Sequence, residues 1–101
     1  MQTHSLNTVE IFNSKFDYNG LVGINCLGEE SQPQIYQNLI ENNAGSGIIV
    51  GTSNKAKIIR NMIKLNVNGI ECISSNPLIQ HNKIHKNIEN GVYTHCFENF
   101  R

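Results

Sequence analysis

The chain has 101 residues, enough for one small domain, and its 8 basic and 8 acidic residues give a formal net charge of zero. That balance excludes the basic excess of a dedicated nucleic-acid or anionic-membrane surface, and three sparse cysteines, Cys26, Cys72 and Cys96, do not suit a disulfide scaffold. Asn (16) and Ile (14) fill almost a third of the chain while Leu (6) and Ala (2) are scarce, so strands and turns are expected rather than helices.

The opening Met1-Gln2-Thr3-His4-Ser5 lacks the basic start and apolar core of a secretory signal, and no apolar run approaches the roughly 20 residues of a membrane helix. None of the Asn residues stands in an Asn-X-Ser/Thr context. A cytoplasmic location is therefore expected, with no membrane and no nucleic acid among the partners.

Taken in chain order, the sequence repeats itself four times. The first repeat runs from Val9 through Ile11, Ser14, Phe16, Asn19, Gly23 and Ile24 to Cys26. The second runs from Pro33 through Ile35, Asn38, Ile40, Asn43, Gly47 and Ile48 to Val50. The third runs from Ala56 through Ile58, Asn61, Ile63, Asn66, Gly69 and Ile70 to Cys72. The fourth runs from Pro77 through Ile79, Asn82, Ile84, Asn87, Gly91 and Val92 to Thr94. The shared pattern is I-x-x-N-x-I-x-x-N-x(2–3)-G-[IV]-x-[VCT], with the glycines 24, 22 and 22 residues apart.

Each β-branched segment is too short to bury a face alone, and none shows a helical period. Stacked in register, successive segments pair as parallel strands about 4.8 Å apart, and their inward residues form columns. Four columns are expected: Ile11, Ile35, Ile58 and Ile79; Phe16, Ile40, Ile63 and Ile84; Ile24, Ile48, Ile70 and Val92; and the smaller Cys26, Val50, Cys72 and Thr94. The predicted fold is all-β: a right-handed parallel β-helix solenoid of about four coils of 21–24 residues. It forms a single domain over 1–101, with coils at about 9–32, 33–54, 55–76 and 77–97.

The asparagines belong at bends. Ser14, Asn38, Asn61 and Asn82 form one column, and Asn19, Asn43, Asn66 and Asn87 another. Asn tolerates left-handed backbone geometry, and stacked amides can bond from coil to coil. Gly23, Gly47, Gly69 and Gly91 are expected where the chain turns tightly into a strand. A leucine-rich repeat has an overlapping period, but the Leu it needs before the first Ile is missing. The second Asn and the Gly-Ile strand also leave no room for its helix or long turn.

These four coils resemble the parallel β-helix repeats of the pectate-lyase-like superfamily. The segment from Ser74 to Tyr93 is similar to the repeats of the β-helical F-box-only proteins. That resemblance covers about residues 9–97 and implies a non-enzymatic, protein-binding repeat module of the kind that presents substrates to a ubiquitin ligase. The chain departs from that family in having no F-box, no zinc-finger extension and few coils. The superfamily also implies an alternative, a carbohydrate-binding or carbohydrate-cleaving module.

The residues offer a candidate site for each. Phe12, Tyr36 and Ile59 share one outward repeat position, and Ile49 and Tyr93 point outward on the Gly-Ile strand. Adjacent exposed apolar side chains of this kind often mark contact sites; the alternative is that a neighbouring loop or a flanking coil covers them. For the glycan alternative, Asp17, Glu41, Lys64 and His85 share another outward position, with neighbours about 5 Å apart as the carboxylates of a retaining glycosidase are. The same column also suits a solvated ladder of mixed charge. His81, His85, His95 and Cys96 match no zinc spacing, so no metal, cofactor or catalytic residue is expected. Glu29 and Glu30 fall in the longest inter-strand loop as solvated residues. A protein is the expected partner and a glycan the alternative. Open solenoid ends call for end-to-end association, a longer parent chain, or a tail with Phe97 and Phe100 folded over the last coil.

Overall fold

A computed structural model describes residues 2–3, 10–26, 32–51 and 55–95 of the chain. Thirteen short strands are described, and all of them pair in parallel. They are β1 (Gln2–Thr3), β2 (Glu10–Phe12), β3 (Lys15–Asp17), β4 (Ile24–Cys26), β5 (Gln34–Tyr36), β6 (Leu39–Glu41) and β7 (Ile48–Val50), followed by β8 (Lys57–Ile59), β9 (Met62–Lys64), β10 (Asn68–Ile73), β11 (Leu78–Gln80), β12 (Lys83–His85) and β13 (Asn90–His95).

The strands form three sheets that run the length of the stack. One has the order β11-β8-β5-β2, the second β12-β9-β6-β3, and the third β1-β4-β7-β10-β13. Every third strand returns to the same sheet, so the chain winds as a solenoid. The register is the one the repeat predicts. Ile11, Ile35, Ile58 and Ile79 stack in the first sheet. Phe16, Ile40, Ile63 and Ile84 stack in the second. Ile24, Ile48, Ile70 and Val92, with Cys26, Val50, Cys72 and Thr94, stack in the third. The inner members of the first three repeats form a single buried cluster, with Phe16, Ile79 and Ile84 packed against it, whereas Val92 and Thr94, expected to complete the core, are exposed. Burying a side chain of this size stabilises the stack by roughly 1.5–3 kcal/mol.

The asparagine columns are continuous hydrogen-bonded ladders. Asn61 Oδ1 accepts from the Asn38 backbone N–H at 2.9 Å and from Asn38 Nδ2 at 3.0 Å, while Asn61 Nδ2 donates to the Ile35 carbonyl at 3.0 Å and to Asn82 Oδ1 at 3.0 Å. The second ladder repeats this arrangement from Asn19 through Asn43 and Asn66 to Asn87. Ser14, the non-Asn member, enters only through its backbone, whose N–H donates to Asn38 Oδ1 at 3.0 Å.

Two local expectations are corrected. The left-handed residue at each bend is not the ladder Asn but the residue before it: Asn13, Gln37, Arg60 and His81 at one corner, Tyr18, Asn42, Leu65 and Lys86 at the next. One left-handed residue bends the chain, and the following Asn keeps ordinary geometry with its N–H aimed at the coil above. The glycines, in turn, are needed for closeness rather than for torsional freedom. A Cβ on Gly47 would lie 2.8 Å from the Gly69 carbonyl oxygen and 2.9 Å from Asn66 Nδ2, and one on Gly69 would lie 2.5 Å from the Gly91 carbonyl oxygen. At Gly91, in the last described coil, the nearest atom is an ordinary 3.5 Å away. That coil is thinly covered, with Val92 45% and Ile88 76% exposed. Phe97 and Phe100, expected over this end, and Glu29 and Glu30 lie outside the described residues.

Candidate functional site

In a three-residue strand whose middle side chain is buried, the first and third point outward. On the sheet β2-β5-β8-β11 the third positions are Phe12, Tyr36, Ile59 and Gln80, in direct register. The Phe12 and Tyr36 rings stack with centroids 5.2 Å apart and planes 5° from parallel. The Tyr36 hydroxyl donates a long hydrogen bond to Glu10 Oε1 at 3.5 Å. Desolvation, then the Glu10 charge and this bond, push the Tyr36 phenol above its usual range, so it stays neutral.

Beside this stack lies an open groove of about 340 Å³. Tyr36 and Ile59 supply its apolar surface next to Ile35, and Gln34, Gln37, Lys57 and Arg60 supply its polar surface. Its size falls at the lower end of ligand-binding clefts. Sequence reasoning found the apolar half and missed the polar half. Gln34 and Lys57 are the other outward positions of β5 and β8, and Gln37 and Arg60 are the left-handed residues just after those strands. Strand alternation could have found the first pair; nothing in the repeat marks the second.

The other expected contact residues lie elsewhere. Ile49 and Tyr93 are on the third sheet, with Glu71 between them in register. Tyr93 is 41% exposed and stacks on the His95 ring at 4.9 Å. Glu71 bridges coils by accepting from Ser46 Oγ at 2.7 Å and contacting His95 Nε2 at 2.9 Å. The five residues therefore divide into a face with Phe12, Tyr36 and Ile59 and a separate one with Ile49 and Tyr93.

The carboxylate column is in the predicted register, Asp17 next to Glu41, then Lys64, then His85. Its charges are satisfied within the column and by one neighbour. Lys15 Nζ lies 3.5 Å from Asp17 Oδ2 and 3.9 Å from Glu41 Oε2, and Lys64 Nζ lies 3.8 Å from Glu41 Oε1. His85 Nε2 has no hydrogen-bond partner among the described residues. Desolvation, with Lys83, Lys86 and Lys64 nearby, pushes its imidazole below the usual histidine range, so the ring is neutral near pH 7. None of these four residues lines the groove.

Cys26 and Cys72 are buried, and burial with the adjacent Glu71 raises the Cys72 thiol, which keeps it protonated and unreactive. Among the described residues no cluster of three or more His, Cys, Asp or Glu gathers, and no helix is long and apolar enough to cross a membrane.

The stacked ladders and parallel sheets define a β-solenoid carrying a grooved lateral face. The chain belongs to the right-handed β-helix family: the family model described as a right handed beta helix region matches residues 2–101. No curated protein and no solved structure matches the chain.

Proposed function

We propose that the chain is a non-enzymatic protein-binding repeat module that uses the outer face of β2-β5-β8-β11. It would act as the resemblance to F-box β-helix proteins implies, presenting a lateral face to a partner selected for a ubiquitin ligase. The observation that supports this is the groove itself, an apolar floor of Tyr36 and Ile59 continued by the Phe12 stack and edged by hydrogen-bonding and cationic side chains. Contact sites combine these features, with aromatic anchors at the centre and polar groups around them.

The carbohydrate reading has weaker support. Asp17 and Glu41 are adjacent in register, but both are engaged by lysines and neither reaches the groove. The two readings make opposite forecasts. Capture by the immobilised wild-type chain, identified by mass spectrometry, is compared with capture by Tyr36→Asp/Ile59→Asp and by Glu41→Gln. Recurrent protein partners lost only with the first variant support the module, and a ubiquitin-ligase scaffold among them supports the adaptor role. Binding or cleavage of glycans lost only with Glu41→Gln would overturn both.

A further inference from the structure

The groove is not electrically neutral. Lys57 and Arg60 are both exposed and take part in none of the ion pairs among the described residues. The acid in register with Lys57, Glu10, is two strands away, about 10 Å at ~4.8 Å per strand, and it receives the Tyr36 hydroxyl. On the neighbouring sheet, by contrast, Lys15 and Lys64 are held by Asp17 and Glu41. Two uncommitted cations therefore border the apolar floor made by Tyr36 and Ile59.

Resting on the binding role proposed above, we infer that the groove takes an extended acidic peptide segment of a partner protein. One apolar side chain of that segment lies over Tyr36 and Ile59, and carboxylates on either side of it meet Lys57 and Arg60. In an extended chain, residues two before and two after an apolar position share its face. Lys57 and Arg60 stand three residues apart, at most about 10 Å at ~3.3 Å per residue, and their long side chains can splay to such carboxylates. Cations separated by Ile59 suit two spaced carboxylates better than one phosphate, which would draw its charges to a single point. The amides of Gln34 and Gln37 offer donors and acceptors to the peptide backbone.

The test is fluorescence anisotropy with a labelled peptide of the form glutamate-x-leucine-x-glutamate, with glycine and serine at x and as flanks, and a glutamine analogue as control. The acidic peptide should bind, and the glutamine analogue should bind about tenfold more weakly, as should the acidic peptide to Lys57→Glu/Arg60→Glu. Affinity should fall as ionic strength rises from about 0.05 to about 0.5 M. Lys83→Glu, on the other sheet, should change nothing. Equal binding of the two peptides, no loss with the double variant, or tighter binding of a phosphoserine peptide overturns the inference. If the acidic peptide fails while peptides selected from a random library bind and are lost with Tyr36→Asp, only the acid preference falls. If neither kind binds, the binding face falls with it.

Discussion

The two lateral sheets β2-β5-β8-β11 and β3-β6-β9-β12 are twins on the inside and strangers on the outside. Each carries a column of four large apolar side chains inward and ends at an asparagine ladder whose hydrogen bonds differ only at its first member, Ser14 in one and Asn19 in the other. Outward, one stacks aromatics beside two cations that make no ion pair among the described residues, whereas on the other Lys15, Asp17, Glu41 and Lys64 are linked by ion pairs. The inner sides answer to stacking geometry, which is identical in every coil. The outer sides are free of that demand, so their differences are where function can be written.

The largest effect tests the inner equivalence. Asn61→Ala and Asn66→Ala remove corresponding rungs of the two ladders. Each orphans the buried N–H and one amide hydrogen of the Asn below and leaves an isoleucine carbonyl without its side-chain donor. Each should cost at least about 3 kcal/mol in denaturant unfolding, at ~1–3 kcal/mol per orphaned group. A cheap loss at one corner and a severe one at the other would break the symmetry.

The third sheet sharpens the point with its glycines. Gly47→Ala drives a Cβ into the backbone of the next coil and should destabilise by about 2 kcal/mol. Gly91→Ala meets only an ordinary contact and should shift thermal unfolding little. Equal losses would return the glycine column to a demand on torsion angles.

Outer substitutions should be milder and should separate stability from binding. Glu41→Gln frees Lys64, leaves Lys15 to Asp17 alone and should cost no more than about 1 kcal/mol, with partner binding intact. Ile59→Asp should cost similarly little yet abolish capture of the partner.

The smallest effect is a pH dependence confined to the charged sheet. The folded-state pKa of His85 lies below the usual 6.5. The unfolded chain therefore takes up this proton first as pH falls. The stability associated with neutral His85 is complete above pH 6.5 and is lost as pH drops through the folded value. Unfolding curves of His85→Gln should lack this component.

What could be read from sequence follows the same division. Ile35, Ile58 and Asn61 announce themselves because stacking forces like upon like, so the coils, the register and the ladders were visible in the repeat. The left-handed bend positions were not, because the torsion is imposed by the corner and filled by residues as unlike as Arg60, Leu65 and Tyr18. The glycines were seen but given the wrong reason, since closeness to the next coil leaves no local trace. The polar half of the groove was hidden for the opposite cause. Glu10, Gln34, Lys57 and Leu78 occupy one register position with four chemistries, and no repeat marks such a column.

The most direct test of the division between faces is residue-resolved NMR of the chain titrated with the acidic peptide. Amide shifts gathered at Tyr36, Gln37, Ile59 and Arg60, with Glu41, Lys64 and His85 unmoved, are the predicted result. Shifts centred on Glu41 and Lys64, with the groove residues silent, would contradict it.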